Sequence, residues 1–259
     1  MLTCMLWEDA FYEGGESVAS RIARLVEKVV PAKVAALAVE ARERMKLRHA
    51  PLLLARELAG HSFKGTAALL ERIIQRPDEL TEFLAVYWME KRQPLSAQVK
   101  KGLARAFRKF SAHSLAKYDR DEKIKLRDVL FLVHAKPKDD EQAAAWKALA
   151  SRSLPTPDTW EVALSTGKDK RETWLRLMAE GKLGALALLR NLRNMLEAQV
   201  PEDAIREALA SASVERVLPF RFIAAARYTP TLEPELEALM FRCVAEQPRL
   251  AGRTALGAV

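Results

Sequence analysis

Cysteine is scarce in this 259-residue chain: Cys4 and Cys243 stand at opposite ends, with no partners at metal-ligand spacing. A disulfide framework and a zinc ribbon are thereby excluded. Aromatic residues make up only 7%, and Trp88, Trp146, Trp160 and Trp174 sit where helices would pack, so no platform for stacking successive bases is indicated. No uncharged run approaches the roughly 18 residues that a bilayer span needs. The opening MLTCMLWEDAF has no basic n-region, and Glu8 and Asp9 cut its apolar patch too early for a signal peptide. The cytoplasm is the expected compartment. The four histidines, His49, His61, His113 and His134, form no HExxH and no pair at i, i+4, and the strings GxxxxGK[ST], GxGxxG and GxSxG do not occur. Neither a metal, a cofactor nor an enzymatic activity is expected.

Strand alternation is nearly absent as well, and what takes its place is helical periodicity. Apolar residues at i, i+3, i+4 and i+7 run almost end to end in segments rich in Ala, Leu, Arg and Glu. Prolines punctuate the pattern where helices would begin, at Pro51, Pro157 and Pro201. Their spacing predicts about a dozen helices of roughly 10 to 17 residues joined by short turns. The Asp139-Asp140-Glu141 cluster falls where negative charge would stabilise a helix N-terminus. The predicted fold is all-α, a HEAT-like superhelix of helical hairpins in a ring or open horseshoe, with a compact bundle as the alternative. The helical array is placed at residues 16–248, between an N-terminal segment 1–15 and a tail 249–259.

Net charge is +8, and its placement matters more than its size. From Lys91 to Lys138 there are fourteen Lys or Arg against four acids, so this band carries +10 and the rest of the chain −2. Such a concentration implies a polyanionic partner. Within it, Ser96 to His113 reads as one helix with Val99, Leu103, Ala106, Phe107 and Phe110 on one face. Lys101, Arg105, Arg108 and Lys109 converge on the other. No acid lies between Lys91 and Lys109, so these cations have no i, i+4 partner on their own helix. A phosphate-tracking surface is the functional reading and a solvated helix face the bland one.

The band continues through Lys117, Arg120, Lys123, Lys125, Arg127, His134 and Lys136, beside a buried stripe of Leu126, Val129, Leu130 and Val133. His134 closes its helix and either complements the last carbonyls or reaches RNA at the edge of the band. A weaker basic cluster, GKLGALALLRNLRNM, sets Lys182, Arg190 and Arg193 on a helix with an apolar stripe of Leu186, Leu189, Leu192 and Met195. Asn191 and Asn194 are interleaved with the arginines, where the functional reading is contact with sugars or bases and the bland one a plain polar face.

Five strings, LSAQVKKGLARAFRKF, AKYDRDEKIKLRDVLFLVHAKPKD, TPDTWEVALS, GALALLRNLRNM and ERVLPFRFIAAARY, occur in this order. In order and interval they resemble the TROVE module of Ro ribonucleoproteins, from about Trp7 to Arg253. The resemblance implies a ring of HEAT-like repeats that binds small noncoding Y RNA on its outer surface. It also implies a basic central hole for single-stranded ends of misfolded RNA. The implied function is a noncatalytic scaffold in RNA quality control, associated in bacteria with the 3′ exonuclease polynucleotide phosphorylase through the Y RNA. Carried over, the Y RNA contacts fall on Lys117 and His134 with Arg120 between them, and Arg105, Arg108 and Lys109 face the hole. Family members continue into a von Willebrand factor A domain with an Asp-x-Ser-x-Ser metal site, a motif not found here. Self-association or a separate chain would then be expected to close the ring, or the array stays open. The alternative function is a helical solenoid that binds an acidic protein partner on the basic surface.

Overall fold

Helix is the regular structure throughout the described residues, 15–165, 169–215 and 217–245 of a computed structural model, and no strand occurs among them. The expected segments 1–15 and 249–259 lie, Gly15 apart, outside the described residues. The packing divides at Pro157 and Asp158 into two compact units, each with its own apolar cluster.

The first unit contains α1 (Gly15–Val26), α2 (Pro31–Glu43), α3 (His49–Gly60), α4 (Thr66–Ile73), α5 (Asp78–Tyr87), α6 (Ala97–Phe107), α7 (Ala112–Tyr118), α8 (Leu126–Val133) and α9 (Asp140–Ala150). The run Pro51-Leu52-Leu53-Leu54-Ala55 leaves α3 no polar face in that stretch, so it is buried on nearly every side. It packs against α1, α2, α4 and α5. Amphipathic α6 instead buries Val99, Leu103, Ala106 and Phe107 on one face, and the valine, leucine and phenylalanine each contribute about 1.5–3 kcal/mol on leaving water. The Phe107 ring meets Trp146 of α9 edge-on, with centroids 5.2 Å apart. The tightest seam joins α6 to α4 at Gly102: a Cβ there would lie 2.9 Å from the Leu70 Cβ and 3.0 Å from the Ala67 backbone. Only glycine lets the two helices approach this closely.

A buried ion pair ties the ends of three helices together. Glu79, in the first turn of α5, is almost wholly buried and accepts from Arg42 of α2 at 2.5 Å and from the backbone N–H of Gln75 at 2.7 Å and Arg76 at 3.1 Å. Burial pushes its carboxyl pKa up against these partners. Arg42 also donates through Nε to the Ile73 carbonyl at 2.9 Å, where α4 ends.

The second unit contains α10 (Trp160–Ser165), α11 (Lys170–Ala179), α12 (Ala185–Glu197), α13 (Glu202–Ser211), α14 (Phe220–Ala226) and α15 (Glu233–Val244), with a single 3₁₀ turn at Pro230–Leu232. Trp174, Leu177, Leu192, Met195, Ile205, Leu209, Phe222 and Leu236 fill its core. Trp160 stacks on Trp174 with centroids 6.3 Å apart.

These fifteen α-helices of the described residues are more numerous and shorter than the spacing of prolines predicts, at 6 to 13 residues. The Ser96–His113 segment shows why. Ser96 caps α6 by accepting from the Val99 N–H at 3.3 Å, but α6 stops at Phe107, and Ser111 caps a new helix by accepting from Ser114 at 3.2 Å. Pro157 does not open a helix, since α10 starts at Trp160. Asp139 does act as expected, capping α9 through the Gln142 N–H at 2.8 Å.

Candidate nucleic-acid interface

The cations of α6 and the turn after it divide into two kinds. Arg105 reaches Glu71 of α4 at 3.4 Å. Lys109 donates its ammonium to the carbonyl of Glu71, in the last turn of α4, and to that of Ile74 just after it, groups that the end of a helix leaves without partners of its own. Its end is partly desolvated there, and that lowers its pKa. Arg108 donates through Nε to the Lys136 carbonyl at 2.7 Å, and its own carbonyl accepts from Gln142 Nε2 at 2.9 Å. The partners missing from the helix itself thus come from α4 and from the turn before α9. Lys100 and Lys101, by contrast, are exposed and pair with no carboxylate among the described residues.

In the α7 to α8 region Lys117 is exposed, its Nζ 5.7 Å from the Tyr118 ring, over which the Arg76 guanidinium lies at 4.9 Å. Arg120 is exposed at the rim of a small polar hollow lined by Arg48, Asp78, Glu82 and Tyr118. There Arg48 binds Asp78 at 2.6 Å and also Glu82, while burial raises the Glu82 pKa. Lys125 precedes α8 and is paired with Asp121, whose pKa this bond lowers. Arg127 lies 3.9 Å from Asp128. His134 ends α8 in the left-handed region at φ 50° with an exposed ring, and the stripe of Leu126, Val129, Leu130 and Val133 is buried as expected. Lys123 and Lys136 are exposed, and neither pairs with an acid among the described residues.

In the second unit, Arg190 and Arg193 are exposed on α12, and Arg193 pairs with Glu197 at 2.7 Å. Three expectations need correcting there. Lys182 lies before α12 and binds Asp158 at 2.5 Å and Glu180 at 2.7 Å. Leu186 is 43% exposed, its place in the core taken by Leu188. Asn191 is buried, donating to the Ala187 carbonyl at 2.8 Å and accepting from Asn194 at 3.1 Å, so it is not offered to a ligand.

Beside Arg190 and Arg193, α12 and α14 bound a groove of about 310 Å³. Its far wall holds Arg221, Ala224, Ala225 and Tyr228, residues at i, i+3, i+4 and i+7 whose two alanines leave the space. Sequence reasoning missed Arg221 and Tyr228; that spacing in RFIAAARY was the available signal. Among the described residues no group of three His, Cys, Asp or Glu side chains is placed to hold a metal ion, and no helix is long and apolar enough to cross a membrane.

Comparison with known proteins places a family match on the second half of the chain: residues 140–243 match the TROVE domain. The basic band from Lys91 to Lys138 lies outside the matched residues. Telomerase protein component 1 of Mus musculus is 35% identical over 91 residues, and that of Rattus norvegicus 34% over 91 residues. Each match covers 33% of this chain and about 4% of the relative's length. No solved structure matches.

Proposed function

We propose, on the premise that this chain carries TROVE-domain sequence over residues 140–243, that it is a noncatalytic RNA-binding component of a ribonucleoprotein. The relatives' naming as protein components of telomerase supports membership of an assembly. In this reading the helical array is HEAT-like and sits in the cytoplasm. It holds a small structured Y-like RNA together with single-stranded ends of misfolded RNA, in quality control, and a 3′ exonuclease such as polynucleotide phosphorylase joins through the RNA.

The observation that carries the reading is the distribution of charge. The first unit holds 28 Lys and Arg against 20 Asp and Glu, whereas the second holds 14 of each. The whole excess therefore belongs to the unit with the basic band. Lys100, Lys101, Lys117, Arg120, Lys123 and Lys136 are exposed there and form no ion pair with an acid among the described residues. Cations of that kind neutralise phosphates and release counterions, the sequence-independent part of RNA affinity.

Gel-shift titrations of structured RNA across a range of salt test this. Replacing Lys100, Lys101 and Lys123 together by Gln should weaken binding and flatten the log affinity against log salt slope by about 2, at about 0.7 to 0.9 per lost phosphate contact. Lys117→Ala with His134→Ser should impair structured RNA more than a single-stranded tail. Failure of the unaltered protein to bind RNA, with binding of an acidic peptide instead, would replace this reading by the acidic-protein alternative.

A further inference from the structure

The groove between α12 and α14 belongs to the unit without net charge, yet none of its described lining residues is acidic. Its volume of about 310 Å³ is at the lower end of the range for small-ligand sites. Arg190 of α12 and Arg221 of α14 both line it, and among the described residues neither is paired with a carboxylate, unlike Arg193 with Glu197. The Arg221 guanidinium lies 4.8 Å over the Phe220 ring. That contact covers one face of the guanidinium plane and leaves its N–H edge available for a bidentate anion. At the same groove stand two apolar surfaces that a core would have taken in: the Tyr228 ring, 66% exposed, and Leu186, 43% exposed. Thr229 is used internally, donating to the Ala225 carbonyl at 2.9 Å, which fixes the turn that carries Tyr228.

Two free guanidiniums, an open aromatic face and a leucine flank, with no acid present, match one ligand unit: a phosphate joined to a planar base. We propose that the α12 to α14 groove binds an unpaired nucleotide of single-stranded RNA, with the phosphate on Arg190 and Arg221 and the base against Tyr228 and Leu186. A base inside a duplex has both faces covered by its neighbours, so the pocket selects unpaired segments. The inference rests on the reading of the protein as RNA-binding and adds a contact site in the second unit, apart from the basic band.

The test measures binding of a short single-stranded oligoribonucleotide and of the same strand annealed to its complement, using the full chain. Tyr228→Ala should weaken the single strand roughly ten-fold or more while the duplex is unaffected, and Tyr228→Phe should retain affinity. Arg190→Gln with Arg221→Gln should lower the single-strand salt slope by about 0.7, the loss of one phosphate contact. A photoreactive thiouridine in the strand should cross-link within residues 186–229. All these side chains are exposed, so unchanged circular dichroism and melting would separate lost binding from lost fold. Equal weakening of single strand and duplex by Tyr228→Ala, or cross-links confined to residues 91–138, would overturn the pocket. So would Tyr228-dependent binding of a charge-matched acidic peptide in place of RNA. If the first-unit lysine substitutions weaken structured RNA while the groove variants leave the single strand untouched, only the pocket fails. If the unaltered chain binds neither RNA, both readings fail.

Discussion

Lys101 and Lys109 occupy one basic segment, yet their substitution has unequal consequences. Lys109 serves the carbonyls of Glu71 and Ile74 at the end of α4, so Lys109→Gln should cost about 1–2 kcal/mol. Lys101→Gln should stay within about 0.5 kcal/mol; urea midpoints that shift equally for both would contradict this division. Spacing alone placed these cations outside the apolar stripe, which the buried Val99, Leu103, Ala106 and Phe107 bear out. It could not reveal the partners, which arrive from an element some 35 residues earlier in the chain. Asn191 went the same way: helical position gave its face, while the hydrogen bond to Ala187 that draws the side chain inward depends on packing. Acidity exposes another such partnership. Asp158 is held at about 2, below the ordinary 3.8, by its bond to Lys182 and then by Arg176. The folded value is the lower one, so the pairing's contribution is present above about 3.8 and is lost as pH falls toward 2. Carboxyl NMR should find the Asp158 midpoint near 2 in the native protein, and Lys182→Ala should move it toward 3.8.

Helix ends follow a shared design that is hard to see in sequence. Four helices, α3, α9, α11 and α12, close with the same pair of hydrogen bonds. At α12 these run from Gln199 to the Leu196 carbonyl at 2.9 Å and from Val200 to Met195 at 3.0 Å; at α11 they run from Gly181 to Met178 at 3.0 Å and from Lys182 to Leu177 at 2.9 Å. This is the Schellman ending, with one left-handed residue at the turn. That residue is Gly181 in α11 but Ser62, Arg152 and Gln199 in the others. Glycine as a stop signal is therefore present at one end in four, and boundaries read from glycine and proline run too long for this reason. The interiors of the same helices were legible because apolar spacing is set by the helix itself. Gln199→Gly should raise stability by about 0.5–1 kcal/mol by relieving the left-handed strain. Gly181→Ala should lower it; a melting temperature unchanged in both variants would show that these turns store no strain.

At the level of the whole chain, two apolar clusters and one uneven charge distribution define what should survive cutting. Residues 153–159 carry no regular structure, and Arg152 just before them is exposed. Trypsin at low ratio should cleave first after Arg152, giving two fragments that each retain helical circular dichroism, because each keeps its own core. The N-terminal fragment should bind a cation exchanger far more strongly than the C-terminal one. Loss of helix in both fragments would mean that neither cluster is self-sufficient. All-helical character was legible from periodicity and the missing alternation. The division at Pro157 was not, because no Gly, Pro or Ser run of unusual length marks it.

Gly102 joins these scales. It sits beside Lys100 and Lys101 on the helix whose backbone it seats directly against α4, so the two ammonium groups swing from an anchored root. An anion that meets them has only two side chains to order and no helix to settle, and the entropy of placing that helix has already been spent in folding. Affinity at this point is thus preorganised by an atom that is absent, the Cβ of residue 102.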